Sequence, residues 1–194
     1  MKNESARKLE LRSAAAELFL RTGYGGATVR DLAKLVGLQS GSIFYYFKTK
    51  EDILVEVMIE GMRQFTEMAK MPLHDTRAPP LMRLRGLFIG QLKALHGPNS
   101  AEAAVVITEW RHLSPHSRLL MVKLRDQVDK RWDQVLSELA AEGVVQGDLR
   151  ILRLSMLGAI NWSLQWYNKQ GRLELEQLAC DLLESFIPGA RIKK

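Results

Sequence analysis

The stretch from Thr28 to Phe47, TVRDLAKLVGLQSGSIFYYF, constrains the fold of this chain more than any other. It reads as a helix, a tight turn containing glycine, and a second short helix. Thr28 is a good N-cap, and Asp31 stands three residues on, where its carboxylate answers the cap and favours the positive helix end. Leu32, Leu35 and Val36 follow as an apolar face at helical spacing. Gly37 ends the helix, because glycine enters the left-handed region without steric cost. Residues 39–46 then form a second helix, small and polar at its start and aromatic at its end. A pair of helices joined this way sets the second one in a DNA major groove. Small residues let its backbone approach base edges, and tyrosine hydroxyls donate to phosphate.

Charge supports that reading. The 194-residue chain carries a formal charge of +6, and it is unevenly spread. Residues 1–50 hold nine Lys or Arg against four Asp or Glu, leaving +5, while the other 144 residues hold only +1. A cationic end coinciding with the helix pair is the footprint of a duplex-binding module. Cys180 is the one cysteine, which excludes an internal disulfide, fits a reducing cytoplasm, and reads as a small packed hydrophobe. No secretory signal and no bilayer-length apolar run is read from the sequence.

Three segments together resemble the DNA-binding domain of the TetR family of bacterial regulators. They are AAAELFLRTGY at 14–24, the Thr28 to Gly37 helix with its turn, and YYFKTKEDIL at 45–54. The resemblance covers about the first quarter of the chain and implies an all-α fold. A three-helix helix-turn-helix DNA-binding domain spans residues 1–48. A helical ligand-binding and dimerisation domain spans 49–194, for about nine helices in all. Carried over position by position, Gln39, Ser40, Gly41 and Ser42 reach base edges. Gln39 is suited to adenine, and the serines bond either kind of base. Tyr45, Tyr46 and Lys50 meet phosphate, and Thr28 and Arg30 sit at a helix start that attracts it. Leu32, Leu35, Leu38, Ile43 and Phe47 form the small core that holds the two helices. Phe44 departs from the tyrosine usual there, so one phosphate contact is missing or replaced.

The rest of the chain reads as helices. The first covers about 4–22, stopped by Gly23. Others start near residue 50, run from Pro80 to Leu95, from about 99 to Leu113, and from a Ser114-Pro115 start to about 142. The last two are expected at about Asp148 to Lys169 and Leu173 to Phe186, with a frayed tail at 190–194. In the penultimate helix, Ile151, Leu154, Ser155, Gly158, Trp162 and Trp166 share one side. Leu157, Ile160, Leu164 and Tyr167 share another. A helix apolar on two sides must be covered twice. The resemblance implies that the last two long helices pair with those of a second subunit.

The second half is rich in Trp and Met, which usually means core but also suits an apolar effector cavity. LGAINWSLQWY at 157–167 resembles a segment of those TetR-like regulators that answer to acyl-CoA thioesters. The expected effector contacts are Trp110, Met121, Asn161, Trp162 and Trp166. His112 and His116 are four apart, but Pro115 breaks the helical register that a zinc pair needs. No metal or cofactor is expected. No glycine-rich phosphate loop, nucleophile elbow or Cys/His cluster points to an enzyme. The expected function is a homodimeric repressor that binds a palindromic operator in double-stranded DNA and is released by a small hydrophobic effector. An activator, a co-repressor-dependent regulator and an effector-independent DNA-binding protein stay open as alternatives.

Overall fold

The computed structural model describes residues 2–190, so most of the tail expected to fray, residues 191–194, lies outside them. Among the described residues there are nine α-helices, three short 3-10 turns and no strand. The helices are α1 (Lys2–Gly26), α2 (Val29–Leu35), α3 (Ser40–Tyr46), α4 (Lys50–Lys70), α5 (Pro80–His96), α6 (Ala101–Thr108), α7 (Pro115–Ala141), α8 (Leu149–Trp162) and α9 (Leu175–Phe186). None is long and apolar enough to cross a membrane.

The starts follow the residues that cap them. Asp52 accepts from the Thr49 amide at 2.8 Å, and the Asp52 amide donates back to Thr49 Oγ1 at 3.0 Å, closing a reciprocal box at α4. Asp148 accepts from the amides of Arg150 and Ile151 at α8. Gly23 (φ 70°, ψ 153°) breaks α1 where expected, although one more helical turn runs on to Gly26.

Two ends differ from expectation. The α-helix before Pro115 closes at Thr108, because Glu109 leaves helical backbone and residues 110–112 tighten into a 3-10 turn. The penultimate helix closes at Trp162 and not at Lys169. Ser163 is fully buried with its Oγ 2.6 Å from His96 Nε2, and its carbonyl accepts from the amides of Trp166 and Tyr167. That local winding takes Trp166 out of the α-helix, so it does not continue the helical stripe of Trp162.

The chain divides into two compact units. The first comprises Met1–Arg63 with Asn99–Leu124, and the second Gln64–Pro98 with Arg125–Lys194. In the first unit, α6 lies against α1, with Leu11, Ala15, Val105 and Ala103 all fully buried. Glu102 is buried there at 3% exposure, accepting from Ser13 Oγ at 3.1 Å beside Arg12. A Cβ on Gly61 of α4 would stand 2.4 Å from the Glu102 carbonyl oxygen, so the glycine permits a backbone-to-backbone approach. The second unit is built round α5. Phe88 of α5 meets Trp132 of α7 at 5.5 Å and Phe186 of α9 at 6.5 Å, ring centre to ring centre. Arg83 of α5 is buried and donates to both carboxylate oxygens of Glu138, which holds the Glu138 carboxyl below its ordinary range.

Candidate nucleic-acid interface

The helix pair is assembled from contacts that its residues dictate. Thr28 Oγ1 accepts from the Asp31 amide at 3.1 Å, and Asp31 Oδ2 accepts from the Thr28 amide at 3.2 Å. The Thr28 hydroxyl also donates to Asp31 at 2.6 Å, and these bonds hold the Asp31 carboxyl below its usual range. Gly37 takes φ 64°, and the Leu38 amide turns back to the Ala33 carbonyl at 2.9 Å, the six-residue closure of a Schellman end. Arg7 of α1 donates to the Val36 carbonyl at 2.9 Å and ties the turn to the first helix.

Beneath the pair, Leu32, Ala33, Ile43 and Phe47 are each at most 4% exposed. Leu35, expected in this core, is 50% exposed. On α2 the buried side is centred between Leu32 and Ala33, and at 100° per residue Leu35 falls on the far side of Leu32. Leu38 is half-buried.

The outward side of α3 carries the residues nominated for DNA. Gln39, Gly41 and Ser42 are exposed, and Ser40 is half-buried. Gln39 stands at the N-cap but makes no side-chain capping bond, which leaves its amide available. Tyr45 is 74% exposed, and its ring meets the half-buried Tyr46 edge-on at 5.1 Å. Phe44 is half exposed on the same helix. Arg30 is exposed beside Thr28 at the start of α2, whereas the hydroxyl and amide of Thr28 are both engaged in the capping box. Lys50 turns inward. Its ammonium donates to the Tyr24 carbonyl and lies 4.2 Å from the centre of the Tyr24 ring, and burial lowers its pKa. The Tyr24 hydroxyl is pushed up by burial and by the nearby Glu51. Nothing local in the sequence marks the Lys50–Tyr24 or Arg7–Val36 contacts, which join positions 26 and 29 residues apart.

The residues nominated for an effector fall in both units. Trp110 is half-buried and Met121 fully buried in the first. In the second, Asn161 accepts from Gln91 Nε2 at 3.3 Å, which supplies the partner its amide needs in an apolar helix. Trp162 is 67% exposed and Trp166 49% exposed. On α8, Ile151 and Leu154 share the outward side of Trp162 with Ser155 and Gly158, while Met156 and Ile160 are fully buried on the inward side. Ile151, Leu154 and Trp162 are the large apolar side chains on this outward side, with Ser155 and Gly158 between them.

Residues 11–57 match the family described as bacterial regulatory proteins, tetR family, and residues 77–189 match the tetracyclin repressor-like C-terminal domain. Over 188 residues the chain is 30% identical to the HTH-type transcriptional repressor KstR2 of Mycolicibacterium smegmatis, covering 95% of this chain and 91% of that protein. The fatty acid metabolism regulator protein of Bacillus subtilis is 26% identical over an alignment that spans 100% of both chains. Among solved structures, that of the superantigen PfiT is 37% identical, with a TM-score of 0.76 over 94% of this chain and 96% of that one.

Proposed function

The chain belongs to the TetR family of bacterial regulatory proteins, and we propose that it acts as a dimeric repressor that a small hydrophobic effector releases from a palindromic operator. Residues 1–48 are the DNA-binding domain in this reading, and residues 49–194 the regulatory and dimerisation domain. The observation that carries it is the outward side of α3. Its polar start and Tyr45 are free of the protein core while Ile43 and Phe47 anchor the opposite side. Gln39, Ser40, Gly41 and Ser42 read bases, and Tyr45, Tyr46 and Arg30 meet phosphate. Thr28 contributes by fixing α2. Lys50 contributes from its place on Tyr24, at the start of α4.

The dimer is proposed through α8, with α9 beside it. The apolar side formed by Ile151, Leu154 and Trp162 is a poor face to leave in water, and buried tryptophan is a common anchor of interfaces. Two heads paired this way read half-sites roughly 34–36 Å apart when these lie one helical turn apart. The effector is proposed to be an acyl-CoA thioester or a related hydrophobic acyl compound, with Asn161 and Trp166 of the second unit as its contacts. Two things support that class: the 157–167 segment, and a relative named for fatty acid metabolism. The proposed place of action is the cytoplasm.

Selection of genomic fragments by the purified chain at low salt, followed by titration of the retained duplex, tests the DNA reading. Failure to retain any fragment overturns it. Adding acyl-CoA thioesters to the complex tests the switch. A ligand must favour one state to shift the balance, so release supports the repressor and tightening supports a co-repressor-dependent regulator. Thermal stabilisation by the thioester without change in operator affinity removes the switch and keeps the binding.

A further inference from the structure

Tyr45 is open to solvent, yet its hydroxyl already has an acceptor. It lies 3.3 Å from Glu4 Oε1, on the first turn of α1 and 41 positions away in the chain. Glu4, Ser5 and Lys8 join Tyr45 and Tyr46 around an open hollow of about 430 Å³. The two cations described on the next turn of α1, Arg7 and Lys8, each pair within the protein. Lys8 pairs with Glu56 at 3.0 Å and sits 5.6 Å from the centre of the Phe47 ring. Arg7 pairs with Glu10 at 2.6 Å while it holds the Val36 carbonyl. An acid therefore stands at the hydroxyl that the DNA reading assigns to phosphate, on a domain whose net charge is otherwise strongly positive.

A phenol has one proton to donate. A carboxylate oxygen and a phosphate oxygen compete for it, and giving up the charge-assisted bond to the carboxylate before one to phosphate can form is worth roughly a five-fold change in affinity. We propose that Glu4 stands in for a backbone phosphate: it holds the Tyr45 hydroxyl in the free protein, and DNA must displace it. Glu4 thereby keeps the affinity of each reading head below what its hydroxyls and cations would otherwise reach. This inference rests on the DNA-binding reading and adds a residue that the helix-turn-helix itself does not contain.

The test is a titration of the full chain with a retained genomic duplex, at salt from roughly 50 to 200 mM, for wild type, Glu4→Gln, Tyr45→Phe and the double variant. Glu4→Gln replaces the charged acceptor of the Tyr45 hydroxyl with a weaker neutral one and is expected to tighten binding roughly five-fold per head at the low end of that range. In the Tyr45→Phe background the gain is expected to shrink to about two-fold or less, because the bond being competed for is gone. Equal gains in both backgrounds overturn the proposal, since Glu4 then acts only as a diffuse charge. No gain, or weaker binding, overturns it as well. Glu4→Asp keeps a negative charge at the start of α1 but withdraws the carboxylate from the hydroxyl. It is expected to tighten binding by a smaller factor, which guards against fraying of α1 in the glutamine variant. If Tyr45→Phe changes nothing even with Gln at position 4, the Tyr45 phosphate contact falls and the inference with it. If wild type binds no duplex, the DNA reading itself falls.

Discussion

Two surfaces of this molecule are left uncovered, and they are opposite in chemistry. The outer side of α3 offers an amide, hydroxyls and an exposed phenol above a very small core of Leu32, Ala33, Ile43 and Phe47. The outer side of α8 offers Ile151, Leu154 and Trp162 in the second unit, where Phe88, Trp132 and Leu139 are all at most 1% exposed. A polar face of this kind is comfortable in water and gains only when a partner presents phosphates and base edges. An apolar face gains as soon as any matching apolar surface covers it. The first is suited to an encounter that comes and goes, and the second to a lasting one. That contrast is why DNA is assigned to one and a second copy of the chain to the other.

The contrast can be broken, beginning with the largest expected effect. Phe88→Ala removes a ring held between Trp132 and Phe186 and should cost about 3–5 kcal/mol, read as a fall in the denaturant midpoint. A loss below about 1 kcal/mol would mean that the second unit is not the well-packed body described.

Next comes pH. Burial, reinforced by the charge of Lys169, lowers the pKa of His96 to about 4 from an ordinary 6.5. The unfolded chain then binds more protons than the folded one between those values, so stability should fall as pH drops from about 6.5 towards 4, by up to about 3 kcal/mol. A His96→Asn variant should show a flatter profile over that window. An unchanged profile would remove His96 as the cause.

Leu154→Glu on α8 should then convert the dimer to monomer in sedimentation. Operator affinity should fall by a factor of about 30 or more, the size of a lost interface anchor. Full operator affinity in a monomer would erase the distinction between the two faces. Thr28→Ala opens the capping box at α2 and should cost about 1 kcal/mol, with weaker binding to every duplex.

The smallest effects are the most informative about α3. Tyr45→Phe is expected to weaken all sequences alike by a few-fold, and Gln39→Ala to change the preferred base at one position, a change of about 1–3 kcal/mol there. Titrations against single-base operator variants separate the two. A uniform loss from Gln39→Ala would move that residue from base reading to positioning.

The legible parts of this structure are those whose partners lie within one turn. Thr28 with Asp31, the Ser114 cap before Pro115, which accepts from the amide three residues on, and the left-handed Gly37 are spelled out by spacing alone. The outward stripe of α8 was also legible, since helical period needs only the sequence of the helix itself. Leu35 was not, because a seven-residue helix offers too few apolar positions to fix which side faces in. The end of α8 was not, because its cause is a bond from Ser163 to a histidine 67 positions earlier. Lys50 on Tyr24, Arg7 on Val36 and Glu4 on Tyr45 escape for the same reason. They join helix surfaces that meet only after the chain has folded.

Gly61 has one more implication. The gap between α4 and α6 is gauged there by the thickness of a bare backbone, since even a methyl group would intrude on Glu102. The spacing of these two helices is thus set by an atom the chain leaves out. Any bulkier side chain would act as a wedge between them.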